Sequence, residues 1–306
     1  MIKYADTNFS SIDKIKLIVR ECEDLFDKQL VALSDKVYCE KDLKVITLSG
    51  PTCSGKTTAS KKLVEYFSDK SKRVNIISID DFYFDKEKLH EISRKKGMDT
   101  VDYDSVDTID LSLLKSVVDE IFDKKQTKVH TPVFDFTKGK RVGFRELDCT
   151  ENDIFLFEGI QVLYPEVHSL FDAHFSCDIF ICVDSSISVN GVLFSPNEIR
   201  LMRRLVRDHN FRATDAATTF RLWENVRQNE DNNILPYASV CRYRLDSTFS
   251  CEISLLKDCL FEILQDFEKD NTYYNLARNI VSKIEGIPAI NSKYLAEDSL
   301  YCEFLQ

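Results

Sequence analysis

The sequence predicts an α/β protein with a mostly parallel sheet flanked by helices. Short apolar runs typical of buried strands alternate with amphipathic segments, and a glycine-rich motif follows the first run directly. Parallel strands that are buried on both faces form near-continuous apolar runs, and their alternation with helical segments favours a parallel sheet. The predicted buried strands cover residues 45–48, 73–80, 153–160 and 178–184.

The glycine-rich motif is Gly50-Pro51-Thr52-Cys53-Ser54-Gly55-Lys56-Thr57-Thr58. It fits the pattern G-x-x-x-x-G-K-[ST], in which backbone N–H groups wrap a phosphate at the N-terminus of a helix. All nine residues are therefore candidates for nucleotide binding. Lys56 is expected to reach the β- and γ-phosphates, and the Thr57 hydroxyl is expected to bind Mg²⁺. An ordinary glycine-containing turn is the alternative, but the amphipathic segment 57–69 favours the phosphate-binding loop of a P-loop NTPase.

Composition narrows the function and the compartment. The 306 residues carry a net charge of −10, which argues against a general nucleic-acid binder because such proteins need a basic surface. Ten Cys without a C-x-x-C pair indicate a reducing compartment, the cytoplasm. The chain shows no signal peptide and no apolar run of about 20 residues, so no membrane partner is expected. The five His show no metal-ligand spacing, which argues against structural zinc.

One main domain with two extensions is predicted. Residues 1–43 form an N-terminal helical extension, because their apolar residues recur at helical spacing. Residues 44–270 form the main domain, with a lid at about 195–215, and residues 271–306 form a C-terminal extension to which composition assigns no role. Further predictions are helices at 215–228 and 253–267 and a polar loop at 229–233.

Acidic residues follow two of the predicted strands. Asp80 and Asp81 end the second buried run, and Glu158 lies near the end of the third. Ligands of doubly wound sheets bind beyond the carboxyl ends of the strands, so these side chains should face the nucleotide. Glu158 fits a magnesium-binding carboxylate of the Walker B type. A catalytic role is favoured for the Asp pair over simple capping of the next helix.

A polar segment at 85–110 is predicted to be a loop. Its acids are either solvated turn residues or ligands of a polyhydroxyl substrate, since carboxylates accept hydrogen bonds from paired sugar hydroxyls. Residues 128–136 then alternate as a strand, and Pro132 places that strand at a sheet edge. The acids of the loop are Asp99, Asp102, Asp104, Asp107 and Asp110.

A run of arginines predicts a phosphate-clamping lid. Its first four members share one helical face, where like charges repel unless an anion is present. Only Glu198 and Asp208 lie close by as acids. An unneutralised stripe in an acidic chain favours phosphate binding over a solvated basic face. The arginines are Arg200, Arg203, Arg204, Arg207 and Arg212.

With these motifs, residues 44–265 resemble the uridine kinase and phosphoribulokinase family of P-loop kinases. Ser78-Ile-Asp-Asp-Phe-Tyr83 is similar to the strand-end motif whose first Asp is the catalytic base, which implies that role for Asp80 and places Tyr83 at the substrate. Tyr103-Asp104-Ser-Val-Asp107 is similar to the segment whose first acid holds the ribose hydroxyls, which implies Asp104. A closer resemblance, to uridine-kinase-like nucleoside kinases of Gram-positive anaerobes, extends into the C-terminal Ile-x-Gly-Ile-Pro segment.

The resemblance implies further roles. Pro132-Val-Phe-Asp-Phe136 with Arg141 is similar to a hairpin over the base, so Phe134 and Arg141 are implied substrate contacts. The segment Phe157-Glu158-Gly159-Ile160 resembles the magnesium strand, and the arginine run resembles the lid. Pyrimidine-nucleoside kinases carry Tyr and His where this chain has Phe134 and Gly139, and the second arginine of the lid pattern falls at Thr214. The implied metal ligands are Thr57, Glu158 and Asp80. The implied catalytic residues are Asp80, Lys56, Arg207 and Arg212, with Arg203 at the nucleotide.

The implied activity is a Mg²⁺-dependent kinase that uses ATP or GTP to phosphorylate the 5′-hydroxyl of a nucleoside. Its partner is then a small-molecule nucleoside and not a nucleic acid, and assembly into a homo-oligomer is left open. One alternative is a kinase for another small alcohol, such as pantothenate or a sugar phosphate. The other is a nucleotide-binding regulator without phosphotransfer, which the presence of Asp80 disfavours.

Overall fold

The computed structural model describes residues 1–97, 101–123 and 126–305. The strands are β1 (Ile2–Tyr4), β2 (Val45–Ser49), β3 (Val74–Ser78), β4 (Lys128–Asp135), β5 (Lys140–Asp148), β6 (Ile154–Glu158), β7 (Ser176–Cys182), β8 (Ser186–Val189), β9 (Val192–Phe194) and β10 (Tyr243–Asp246). The helices are α1 (Ile12–Tyr38), α2 (Lys56–Asp69), α3 (Lys86–Lys95), α4 (Leu111–Phe122), α5 (Pro165–His168), α6 (Pro196–Arg212), α7 (Ala216–Asn229), α8 (Leu235–Ala238), α9 (Glu252–Leu264) and α10 (Tyr274–Ile284).

The centre of the molecule is a parallel sheet. Its strand order is β10-β7-β2-β6-β3, and every neighbouring pair is parallel. Strand β2 is buried at every residue, as expected for a strand covered on both faces. The four predicted strands are β2, β3, β6 and β7, so the predicted α/β fold with a mostly parallel sheet is confirmed.

Helix α1 covers one side of this sheet. The Ser11 side chain caps its start by accepting a hydrogen bond from the Lys14 N–H at 3.2 Å. Its apolar stripe, which includes Val19, Phe26 and Val37, is buried against α2 and β10. The sequence did not predict β1, a three-residue strand that pairs in parallel with β8.

A β-hairpin lies over one end of the sheet. Strands β4 and β5 pair antiparallel and form a separate two-stranded sheet, so Pro132 lies in an edge strand as predicted. The predicted loop at 85–110 is wrong in its first part, where helix α3 forms. Only Leu89 and Ser93 of that helix are buried, which is too little apolar surface to produce a helical pattern in the sequence.

The end of the chain returns to the phosphate-binding loop. Residues 299–305, here called the terminal turn, contain a short 3₁₀ segment, Leu300–Glu303. Tyr301 and Phe304 are fully buried in the same core as α2 and α9. None of the helices in the described ranges combines the length and apolar character that a membrane span requires.

Candidate active site

A cavity of about 1300 Å³ opens between the glycine-rich loop, the hairpin and the lid. Pockets for one drug-sized ligand measure about 300–1,000 Å³, so this volume accommodates two substrates. The predicted site residues that line it are residues 52–57, Asp80, Tyr83, Asp104, Phe134, Glu158, Arg207 and Arg212.

Glycine is required at two places in the loop between β2 and α2. A Cβ at Gly50 would lie 2.0 Å from the Ile181 carbonyl oxygen, because the loop passes directly over β7. Gly55 has φ +91°, and a Cβ there would lie 2.4 Å from a Leu300 methyl carbon. Both glycines therefore let the loop approach its surroundings more closely than other residues could.

The loop contains two polar groups, Lys56 and Ser54, whose bonding bears on ligand binding. The Lys56 ammonium donates to the carbonyl oxygens of Gly50 at 2.8 Å and Pro51 at 3.1 Å. The Ser54 hydroxyl is buried and has no hydrogen-bond partner among the residues that the structure describes. An unpaired buried hydroxyl is costly, which is consistent with a ligand that completes its bonding.

Asp80 and Glu158 come together at the carboxyl ends of β3 and β6. Glu158 pairs in register with Leu48 on one side and Ser78 on the other, and Asp80 follows in the 3₁₀ turn Ile79–Phe82. The Asp80 Oδ1 atom is buried and, within the described ranges, has no hydrogen-bond partner. Burial and the charge of Glu158 raise the pKa of Asp80 to about 7. A general base works best when its pKa lies near the working pH, so this environment suits proton transfer.

Asp81 points away from this cluster. Its Oδ1 accepts a hydrogen bond from the Phe134 N–H at 3.0 Å, and its Oδ2 lies 3.6 Å from Arg145. Asp81 thus attaches the hairpin to the end of β3, whereas Asp80 faces the cavity.

Asp104 lies in a second part of the cavity, here called the acceptor half because the family resemblance implies that Asp104 holds the substrate hydroxyls. Its main-chain oxygen accepts a hydrogen bond from the Tyr164 hydroxyl at 2.9 Å, and no hydrogen bond or ion pair within the described residues uses its carboxylate. Burial, with the nearby charge of Asp102, raises the pKa of Asp104 to about 6. Gln161 holds the preceding residue by donating to the Tyr103 carbonyl oxygen at 2.8 Å. Asp99, another predicted acid, lies outside the described residues.

Aromatic rings form the wall beside Asp104. Tyr83 and Phe134 line the cavity but are themselves buried, and their ring centroids lie 5.7 Å apart. Phe136, which the sequence analysis did not select, is 61% exposed and presents its ring to the cavity. Arg141 does not line the cavity, because its guanidinium donates to the Tyr83 carbonyl oxygen at 3.2 Å and lies 3.4 Å from Asp110. Its direct contact with substrate is therefore not supported by its position.

The expectation of an unneutralised arginine stripe is wrong for the first two arginines. Arg200 forms a buried pair with Glu230 at 2.5 Å, and Arg203 forms a buried pair with Glu252 at 2.7 Å. These acids lie 30 and 49 residues further along the chain, so the local sequence did not reveal them. Arg203 also donates to the Cys53 carbonyl oxygen at 3.2 Å. Arg203 therefore stabilises the loop through this bond, and its buried position argues against direct contact with the nucleotide.

The remaining three arginines of the lid share one acid. Asp208 lies 3.3 Å from Arg204, 2.7 Å from Arg207 and 3.9 Å from Arg212, and all three arginines line the cavity. Arg207 also donates to the Thr52 hydroxyl of the loop at 3.3 Å. Three guanidinium groups share one carboxylate, so this cluster carries a net positive charge beside the phosphate-binding loop.

Two groups of cavity residues were missed by the sequence analysis. The first group is Asn225 and Asn229 of α7 with Asn232 and Asn233 of the π-helical turn that follows it. Residues 229–233 had been predicted as a polar loop. Glu303 of the terminal turn also lines the cavity. The repeated Asn between 225 and 233 was a usable signal, but nothing in the sequence connects residue 303 with the loop.

The cluster fits Mg²⁺ by its donor chemistry. The hard oxygens of Asp80, Glu158 and Thr57 line one cavity, and the unpaired Asp80 oxygen faces the charge of Glu158, which a cation would offset. Magnesium usually takes one or two protein carboxylates and completes its shell with phosphates and water. No group of three or more His, Cys, Asp or Glu side chains in the described ranges could hold a metal alone, so phosphate oxygens would have to share the coordination.

Comparison with known proteins finds several similar chains. A uridine kinase of Ureaplasma urealyticum is 23% identical over 182 residues, which span 60% of this chain and 77% of that protein. Uridine-cytidine kinase C of Dictyostelium discoideum is 27% identical over 132 residues, which span 43% of this chain and only 26% of that protein. The solved phosphoribulokinase of Rhodobacter spheroides aligns with a TM-score of 0.44 and 15% identity, over 80% of this chain and 100% of that one.

The family assignment rests on a match to a sequence profile. The sequence profile of the phosphoribulokinase / uridine kinase family matches residues 45–246, from the start of β2 to the end of β10. That range includes the glycine-rich loop, the strand-end acids, the hairpin and the lid, and it covers more than half of the chain. The chain therefore belongs to the phosphoribulokinase / uridine kinase family.

Proposed function

We propose that this protein transfers the γ-phosphoryl group of ATP or GTP to the 5′-hydroxyl of a nucleoside. The observation that carries the proposal is the position of Asp80. Asp80 lines one cavity with the phosphate-binding loop and with the acceptor half around Asp104, and its buried Oδ1 atom has no hydrogen-bond partner within the described residues. An acid in that position can accept the proton of a hydroxyl that attacks a phosphate held by the loop.

The phosphate side of the cavity supplies positive charge. In the proposed reaction the 5′-oxygen forms a bond to the γ-phosphorus, the bond to the β-phosphate oxygen breaks, and the hydroxyl proton passes to Asp80. Lys56 and the lid arginines Arg204, Arg207 and Arg212 would stabilise the charge on the transferring group. Phosphoryl transfer depends mostly on such positioning and electrostatic stabilisation. Mg²⁺, when held by Thr57, Glu158 and Asp80, would supply further charge neutralisation at the phosphates.

The acceptor side suits a ribose more than a phosphorylated sugar. Asp102 and Asp104 line this part of the cavity, and their charge would repel a phosphate on the acceptor. The carboxylate of Asp104 can accept hydrogen bonds from two adjacent hydroxyls. Phe136 offers an exposed ring on which a base can stack.

A substrate panel tests the proposal. Purified protein is incubated with ATP or GTP and with nucleosides, pantothenate and sugar phosphates, and the phosphorylated product is detected directly so that simple nucleotide hydrolysis is not counted. We expect turnover of ribonucleosides with weak discrimination among bases, because Phe134 and Gly139 supply no polar side chain to read a base edge. Turnover of pantothenate or a sugar phosphate alone would replace the nucleoside proposal, and no transfer to any acceptor would favour a regulator.

The preference for ribose is the first mutational prediction. A buried carboxylate that loses one of two hydroxyl partners costs about 1–3 kcal/mol. We therefore expect ribonucleosides to exceed 2′-deoxyribonucleosides by roughly tenfold to a hundredfold in kcat/KM, and we expect Asp104→Ala to remove the difference. Asp107→Asn is the matched control, because Asp107 is exposed and pairs with Lys96 away from the cavity. An Asp104→Ala enzyme that keeps the full preference would show that another group holds the ribose.

A further inference from the structure

The terminal turn places a carboxylate on the phosphate-binding loop. The Glu303 Oε1 atom accepts hydrogen bonds from the Thr58 N–H at 2.7 Å and from the Thr58 hydroxyl at 2.6 Å. Thr58 lies in the first turn of α2, where backbone N–H groups have no partner within the helix. In phosphate-binding loops these N–H groups are the ones that hold nucleotide phosphates.

The position of Glu303 is fixed by the residues around it. Tyr301 accepts a hydrogen bond from Arg203 at 3.0 Å, and the Phe304 carbonyl oxygen accepts one from Asn210 at 2.9 Å. Leu300 packs against Gly55 of the loop itself. Glu303 is half-buried and lines the cavity, whereas Tyr301 and Phe304 are in the core. The carboxylate is therefore held at the loop by buried contacts on both sides of it.

Two other groups of the same loop indicate that the loop binds an anion. Ser54 is 1% exposed, and among the described residues its hydroxyl has no partner and the Lys56 ammonium bonds only to carbonyl oxygens of its own loop. The loop thus satisfies some of its phosphate donors with protein groups, whereas the Ser54 hydroxyl has no partner in the described part of the chain. A nucleotide phosphate and the Glu303 carboxylate cannot use the Thr58 N–H together, because both are anionic acceptors of the same donor.

We propose that Glu303 is a gate in the phosphate site, which must leave Thr58 before the nucleotide binds. In this state the carboxylate stands in for a phosphate oxygen on the Thr58 N–H, and it lowers the apparent affinity for nucleotide by occupying that donor. The terminal turn is then part of the nucleotide site and sets how tightly the loop holds its ligand. This inference rests on nucleotide binding in the proposed function and is independent of the acceptor.

Direct binding measurements on the full chain test the gate. Calorimetric Kd values for ADP and for inorganic tripolyphosphate are compared between the wild type, Glu303→Gln and Glu303→Ala. If Glu303 has left Thr58 in about one wild-type molecule in ten, a variant that never makes this contact has an apparent Kd about tenfold lower. We therefore expect Glu303→Ala to bind both ligands about tenfold more tightly than the wild type. Glu303→Gln should gain less affinity, because its amide oxygen can still accept the Thr58 hydrogen bonds. Tripolyphosphate shows that the competition concerns the phosphates and not the base.

A matched control separates the gate from a general charge effect and from a helix cap. Glu297→Gln removes the same charge from an exposed position of the C-terminal extension, and it should leave both Kd values unchanged. Thermal melts of all variants report any capping role. Unchanged or weaker binding by both Glu303 variants, with a lower Tm, would overturn the gate in favour of a cap. If the wild type binds ADP and the variants do not gain affinity, the gate is wrong but the phosphate site of the proposed function stands. If neither the wild type nor any variant binds ADP or tripolyphosphate, both the gate and the phosphate site are wrong.

Discussion

Replacing Asp80 by asparagine is expected to lower kcat by about 10²- to 10⁴-fold, the usual contribution of a positioned general base. Asparagine has nearly the same shape but cannot accept the hydroxyl proton. The substitution should not unfold the protein, because burial and Glu158 already penalise the charged form of Asp80. ADP binding should persist, since the loop residues that we propose to hold the phosphates are unchanged. Steady-state kinetics with the best acceptor, together with ADP titration, measure both effects.

Asp81→Asn is the control that makes this result specific. Its carboxylate accepts a hydrogen bond from the Phe134 N–H, and an amide oxygen can still accept that bond. We expect a much smaller loss of kcat than for Asp80→Asn, with some loss of stability as the Arg145 pairing weakens. The reverse ranking of the two variants would show that Asp81 and not Asp80 is the base.

The core of the fold could be predicted because its strands are buried on both faces. Strands β2, β3, β6 and β7 appear in the sequence as apolar runs, and the glycine-rich motif fixes the first β–loop–α unit. Strand β10 escaped prediction because only Leu245 of its four residues is buried and two of them, Arg244 and Asp246, are charged. An edge strand of this length has no pattern that distinguishes it from a loop.

The candidate site was predictable where its chemistry follows a local motif. Lys56, Asp80 and Glu158 lie in such motifs, and the fold brings them to one cavity. The roles of the arginines depended on acids that are far away in the sequence. Glu230 and Glu252 pair with Arg200 and Arg203 only after α7 and α9 pack against α6, so local charge counting could not separate buried pairs from cavity-facing cations.

Lys56→Ala is expected to reduce kcat/KM by about 10²- to 10³-fold, the scale found when one preorganised charge-stabilising donor is removed from an active site. The ammonium donates to the Gly50 and Pro51 carbonyl oxygens, so the variant loses both the proposed phosphate contact and two hydrogen bonds within its own loop. Nucleotide affinity and turnover should therefore fall together, because the proposed contact exists in the ground state and in the transition state alike. Lys61→Ala is the matched control, since Lys61 is exposed on the same helix and does not line the cavity. Full activity in Lys56→Ala, or an equal loss in Lys61→Ala, would mean that the loop does not bind phosphate as proposed.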